Sequence, residues 1–195
     1  GFSKTNPNGA ASRKPESRAA GGLTMPHIVY FDLETQKSAD EVGGWSHKAE
    51  MKMSVGVTFS TAAGEYRIYD EAHVQDLVNE LARAGLVVGF NILNFDYEVL
   101  HGYTPLDLHA VPTLDLMKDL EAKLGHRLSL DSLASATLAA PKIADGLQAL
   151  RWWKEGRVLE IAEYCCFDVK ITRALHEYGR DHGQVFYTDR FGQKR

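Results

Sequence analysis

Apolar residues arrive along this chain in short bursts, and their spacing changes from one burst to the next. The first, "IVYFDL" (28–33), is a β-branched and aromatic run of the kind that fills a buried strand. "MKMSVGVTF" (51–59) alternates in part and predicts a second strand. "EYRIYD" (65–70) alternates Tyr66 and Ile68 against Arg67 and Tyr69 and predicts a third. The glycine in the connector "TAAG" makes these two a hairpin. From about 71 to 84 the period becomes helical, with Val74, Leu77, Val78 and Leu81 on one stripe and Gly85 as the stop. "LVVGF" (86–90) reads as another buried strand, and "NFDYEVLHGY" (94–103) as a short helix capped by Asn94. "HAVPTLDL" (109–116) predicts a strand running into a helix near 116–124. A short helix at 129–138, a long amphipathic one at 157–179 and a final strand at Val185–Tyr187 complete the pattern.

A three-strand opening followed by strand–helix alternation predicts a mixed α/β sheet covered by helices. In such sheets functional groups collect at the carboxyl ends of strands. Asp32 and Glu34 stand at one such end, where charge is costly unless something pairs with it. Asp96 lies just past the strand at 86–90. Asp115 follows the strand at 109–114. Asp168 interrupts the apolar stripe Ile161, Tyr164, Ile171, Leu175 of the late helix, one turn beyond Tyr164 and on the same face. Each acid alone reads as a cap or a turn residue. Together they are the hard oxygen donors, drawn from separate parts of the chain, that a Mg²⁺ or Mn²⁺ site needs. Two such ions about 3.5–4 Å apart clamp the attacking and leaving oxygens of a phosphodiester.

Three stretches now align with one known pattern. "FDLET" (31–35), "NILNFD" (91–96) and "YCCFD" (164–168) resemble the three motifs of the DEDD superfamily of 3′–5′ exonucleases, and Tyr164 resembles the tyrosine branch. The histidine branch would place His at 163, where this chain has Glu163. The resemblance spans about residues 28–187. The segment "GLQALRWWKEGRVLEIAEYCCFDV" is similar to bacterial predicted polymerase-exonuclease-like domains, sometimes found beside helicases. It implies a ribonuclease H-like mixed five-stranded sheet, antiparallel in its first meander and flanked by helices. It implies two divalent ions, Mg²⁺ or Mn²⁺. Asp32 would bridge both, Glu34 and Asp168 would hold the water-activating one, and Asp96 would act in the outer shell. Tyr164, helped by Glu34, would orient the nucleophilic water. Leu33, Thr35, Asn91, Phe95 and Trp153 become candidate substrate contacts, Phe95 and Leu33 as wedges between terminal bases. The implied substrate is DNA or RNA with a single-stranded 3′ end, cut to nucleoside 5′-monophosphates. The implied partner is a helicase or another replication or repair protein. Asp115 has no place in the four-acid set and reads as structural.

Composition changes this picture little. With 195 residues, 44% hydrophobic, and a formal charge of −4, the chain fits one domain with or without a tail. The charge excludes a histone-like binder, not an enzyme whose metal ions supply the positive charge. Residues 1–24 are rich in Gly, Ala, Ser, Pro and Asn and carry the basic surplus. They read as a disordered arm or a remnant preceding Met25, leaving 25–195 as the exonuclease domain. No apolar run approaches a membrane span and no secretory h-region appears. Adjacent Cys165 and Cys166 are no disulfide framework, so the cytoplasm is the expected compartment. Eight scattered histidines show no close His or Cys–His set, so no zinc site is expected. Trp152 and Trp153 beside Arg151 and Lys154, with Lys142 upstream, offer stacking and phosphate contacts, or one core and one surface indole. Two rival readings stay open: a non-catalytic binding module of the same fold, and a structure-specific endonuclease.

Overall fold

The computed structural model describes residues 27–141 and 146–195. The expected arm at 1–24, Met25 and Lys142 lie outside them. Five strands form one sheet: β1 (Ile28–Thr35), β2 (Met53–Ser60), β3 (Glu65–Asp70), β4 (Leu86–Gly89) and β5 (Thr113–Asp115). Their order is β3-β2-β1-β4-β5. β2 runs antiparallel to β1 and β3, whereas β4 and β5 run parallel to β1 and to each other. This is the mixed five-stranded α/β sheet of the ribonuclease H-like fold.

Alternation along β1 sorts its side chains between two layers. Val29, Phe31 and Leu33 face a cluster with Leu77 and Leu81 of α1 (Val74–Ala82) and Tyr97 and Leu100 of α2 (Asp96–Leu100). Ile28 and Tyr30 face the opposite cluster, with Ala149 of α5 (Gly146–Lys154) and Ile161, Cys165 and Val169 of α6 (Val158–His182). α3 (Leu116–Leu124) and α4 (Leu130–Leu138) close the β5 side, where Leu133 and Leu175 anchor a third cluster. The period-2 rule then places Asp32 and Glu34 on the α6 side.

Several expectations need correction. On β3 the apolar pair Tyr66 and Ile68 is exposed and Tyr69 is buried. β3 is the edge strand, and its inner face is the one turned to α1, where the Tyr69 hydroxyl donates to Glu80 Oε2 at 2.6 Å. Gly85 does not stop α1 by turning left-handed. The helix ends at Ala82 with Arg83 as its C-cap, and the Gly85 N–H starts the next strand's pairing by donating to the His27 carbonyl at 2.9 Å. Asn94 is not the cap of α2, which begins at Asp96 after Phe95. α5 is a helix that the sequence reading does not place. Val185–Tyr187 joins no sheet; Val185 packs on the third cluster, and Tyr187 and Arg195 exchange backbone hydrogen bonds of 3.1 and 2.8 Å. No helix among the described residues is long and apolar enough to cross a membrane.

Candidate active site

Each acidic side chain is held by a separate local device. The first is a bulge. Glu34 pairs with Val55 and Thr35 with Met53, so Ser54 of β2 has no opposite residue. Bulges of this kind re-aim side chains at sheet ends, here at the step from Glu34 to Thr35. The second device is the turn after β4. Asn91 adopts a left-handed backbone (φ 65°), which Asn tolerates better than most residues. The turn is tied down by Asp115, which accepts the Asn91 and Leu93 N–H groups at 2.8 and 3.0 Å. The same carboxylate caps α3, accepting the N–H groups of Met117 and Lys118 at 3.1 and 3.2 Å. Asp115 is therefore a structural knot, as its exclusion from the four-acid set predicts.

α2 departs from this turn and carries Asp96 inward. Asp96 is 3% exposed, and its Oδ1 accepts the Leu33 N–H at 3.0 Å. From the other side α6 delivers Tyr164, Cys165 and Asp168. Asp32, Glu34 and Asp168 bring one carboxylate oxygen each to within 4.8 Å of one another. Asp96 stands beside this trio rather than in it. Tyr164, one turn before Asp168, lies close enough for its hydroxyl to favour the charged Asp168 carboxyl, and its ring meets the Trp152 indole edge-on at 6.4 Å. The Cys165 thiol donates to Asp32 Oδ2 at 3.2 Å.

Crowding these acids has an electrostatic consequence. Burial, then Asp96, Asp168 and Glu34, push the Asp32 carboxyl well above the usual range, against a lowering from the Cys165 thiol. Burial, then Asp168 and Asp96, do the same to Glu34. Burial lifts Asp96 to about 8 despite the Leu33 hydrogen bond. Burial lifts Asp168 to about 7 against the Tyr164 hydrogen bond. The Tyr164 hydroxyl is raised first by burial and then by Asp168 and Glu34, so it stays a proton donor at neutral pH. Crowded in this way, the cluster holds protons that a divalent cation would displace. Three carboxylate oxygens converging from β1 and α6 fit a hard divalent ion.

The acids open on a cleft of about 730 Å³ walled by Trp45, Phe95, Leu147 and Leu150. Trp45 is 66% exposed and sits edge-on to Phe95 at 6.3 Å. An adjoining hollow adds Lys48 and Arg127, and Arg127 donates to Asn91 Oδ1 at 2.9 Å. Among the sequence candidates, Thr35, Asn91 and Phe95 line the cleft. Leu33 also borders it, but at 3% exposure its side chain belongs to the α1–α2 core and cannot act as a wedge. Trp153 does not line the cleft. Both indoles, Trp152 and Trp153, pack half-buried on the α6-side cluster, so the division into one core and one surface tryptophan is also corrected.

Sequence reasoning missed Trp45, Lys48, Arg127 and the Cys165 contact. Trp45 and Lys48 come from the short 3-10 segment Trp45–Glu50 and Arg127 from the α3–α4 connection, none with a readable period, and only "GGW" hints at a turn presenting an indole. It also missed that Glu98, His101 and His109 converge away from the cleft, because a connection without regular spacing separates them.

The fold is similar to that of the family B DNA polymerase from the hyperthermophilic archaeon Pyrobaculum calidifontis, at 16% identity and a TM-score of 0.60, over 80% of this chain and 25% of that one. The chain thus spans about a quarter of that polymerase's length. No curated protein matches it. The model of the RNase_H superfamily (RNase_H_2) matches residues 29–178, the stretch that contains β1 through most of α6 and all the acids above, and the chain belongs to this superfamily.

Proposed function

We propose that the chain is a metal-dependent 3′–5′ exonuclease of the tyrosine DEDD branch, releasing nucleoside 5′-monophosphates from DNA or RNA. The observation that carries this reading is the convergence of Asp32, Glu34 and Asp168, with the Tyr164 hydroxyl beside Asp168 on the same helix face. Asp32, Glu34 and Asp168 would hold two Mg²⁺ or Mn²⁺ ions, with Asp96 supporting them from behind. When bound, the ions supply Lewis acidity toward water and toward the scissile phosphate. The chain's own residues do the rest. Tyr164 remains protonated and its hydroxyl orients the attacking water, while Trp152 fixes its ring. Asp96 holds the β1 backbone through the Leu33 N–H, which sets where Asp32 and Glu34 point. Phe95 and Trp45 offer π-faces on which terminal bases stack, and Lys48 and Arg127 meet the phosphates of an incoming single strand.

The test is degradation of a labelled single strand in Mn²⁺, read by product length. Mononucleotides released from the 3′ end are expected, and Asp32→Ala or Asp168→Ala should abolish them. Oligomeric products would point instead to an endonuclease. Undiminished cleavage by both variants would overturn the assignment of the site.

A further inference from the structure

Glu98 leaves α2 on the side away from the cleft, and His101 follows three residues later, just past the helix end. His109 returns to them from the single 3-10 turn Leu108–Ala110. One nitrogen from each imidazole and one Glu98 oxygen lie within 4.8 Å of one another. Glu98 Oε1 is 2.9 Å from His109 Nε2 and 3.8 Å from His101 Nδ1. A tetrahedral ion with bonds of about 2.0–2.1 Å needs donors only a little over 3 Å apart, so small side-chain rotations suffice. The backbone behind the donors is already fixed. Leu108 is fully buried, Asp107 accepts the His109 N–H at 3.0 Å, and the Tyr97 ring braces the His109 imidazole edge-on. Gly102 seats the chain after His101 so tightly that a Cβ there would run into the Ala49 carbonyl. The side chains of Glu98 and His109 are about 40% exposed, leaving a coordination position open to water.

We infer that Glu98, His101 and His109 form a zinc site that clamps the connection 101–109 onto α2. Two imidazoles and one carboxylate suit Zn²⁺, whereas the all-carboxylate cleft suits Mg²⁺ or Mn²⁺. The inference does not depend on the nuclease reading, since the three ligands line no part of the cleft.

Calorimetric titration of the full chain with ZnCl2, in millimolar Mg²⁺ to occupy the carboxylate centre, tests it. One Zn²⁺ per chain is expected, with affinity falling at least tenfold in His109→Ala and in Glu98→Gln. The same binding should survive in Asp32→Asn. Circular dichroism would confirm that each variant keeps the wild-type fold. Absence of stoichiometric Zn²⁺ binding, equal affinity in His109→Ala and Glu98→Gln, or loss of binding only in Asp32→Asn would each overturn the site.

Discussion

Asp32, Glu34 and Asp168 meet no ion-pair partner among the described residues, so their charges wait for something from outside. That makes single substitutions here informative. Tyr164→Phe keeps the ring and its packing on Trp152 but removes the hydroxyl that acts on Asp168. It is expected to lower kcat by about 10²-fold or more while divalent binding, followed by calorimetry, stays within a few-fold of wild type. A loss of Mn²⁺ affinity matching the loss of kcat would instead make Tyr164 a scaffold for Asp168. The two cysteines are not rival nucleophiles. Burial, then the Asp32 and Glu34 charges, hold the Cys165 thiol well above its ordinary range, and a thiol is a poor nucleophile. Asp32, Glu34, Asp96 and Asp168 were legible because motif order and helical spacing are written in the chain. Arg127 was not, because its relation to Asn91 exists only after α3 has folded back.

At the level of elements, the turn after β4 depends on one carboxylate. Asp115→Ala leaves the N–H groups of Asn91, Leu93, Met117 and Lys118 without their acceptor. Loss of such charge-assisted bonds costs about 3 kcal/mol or more. A fall in Tm of about 6–12 °C is expected for a domain of this size, and a calorimetric scan checks it. An unchanged Tm would show that water replaces the carboxylate. Gly102→Ala forces the chain against the Ala49 carbonyl and should also lower Tm, with Gly102→Ser lowering it at least as much. Strand β1 shows what periodicity can and cannot say. Its alternation predicted which layer each residue faces. β3 alternates equally well, yet its alternation does not say which face is buried: Tyr66 and Ile68 are exposed and Tyr69 is buried, because the strand lies at the sheet edge. α5 does show an amphipathic period, with Ala149 buried and both indoles packed on the α6-side cluster, but the stretch draws attention as a Trp–Arg–Lys binding candidate and not as a helix.

For the whole molecule, the acid cluster ties stability to pH and to metal. Asp96 is raised to about 8 and Asp168 to about 7, against ordinary values near 4. Between those limits the folded chain binds protons that the unfolded chain has released. Metal-free stability therefore falls as pH rises from about 4 to about 8, by up to about 1.4 kcal/mol per pH unit for each group still titrating. Melts in a chelator at pH 6 and pH 8 should show the loss, and Mn²⁺ at pH 8 should reverse it. Asp96→Asn should flatten the slope. A chelated protein equally stable at both pH values would contradict the burial argument.

The hydrogen bond from Cys165 to Asp32 joins residues 133 positions apart. A ribosome adds about 5–20 residues each second, so the first acids emerge many seconds before α6 exists to meet them. Until Asp168 and Tyr164 arrive, the growing chain holds three of the four acids but neither the carboxylate that completes the converging trio nor a water-orienting hydroxyl. On the reading proposed above, an enzyme made beside its own messenger is thereby harmless to it during synthesis. The blade is assembled last.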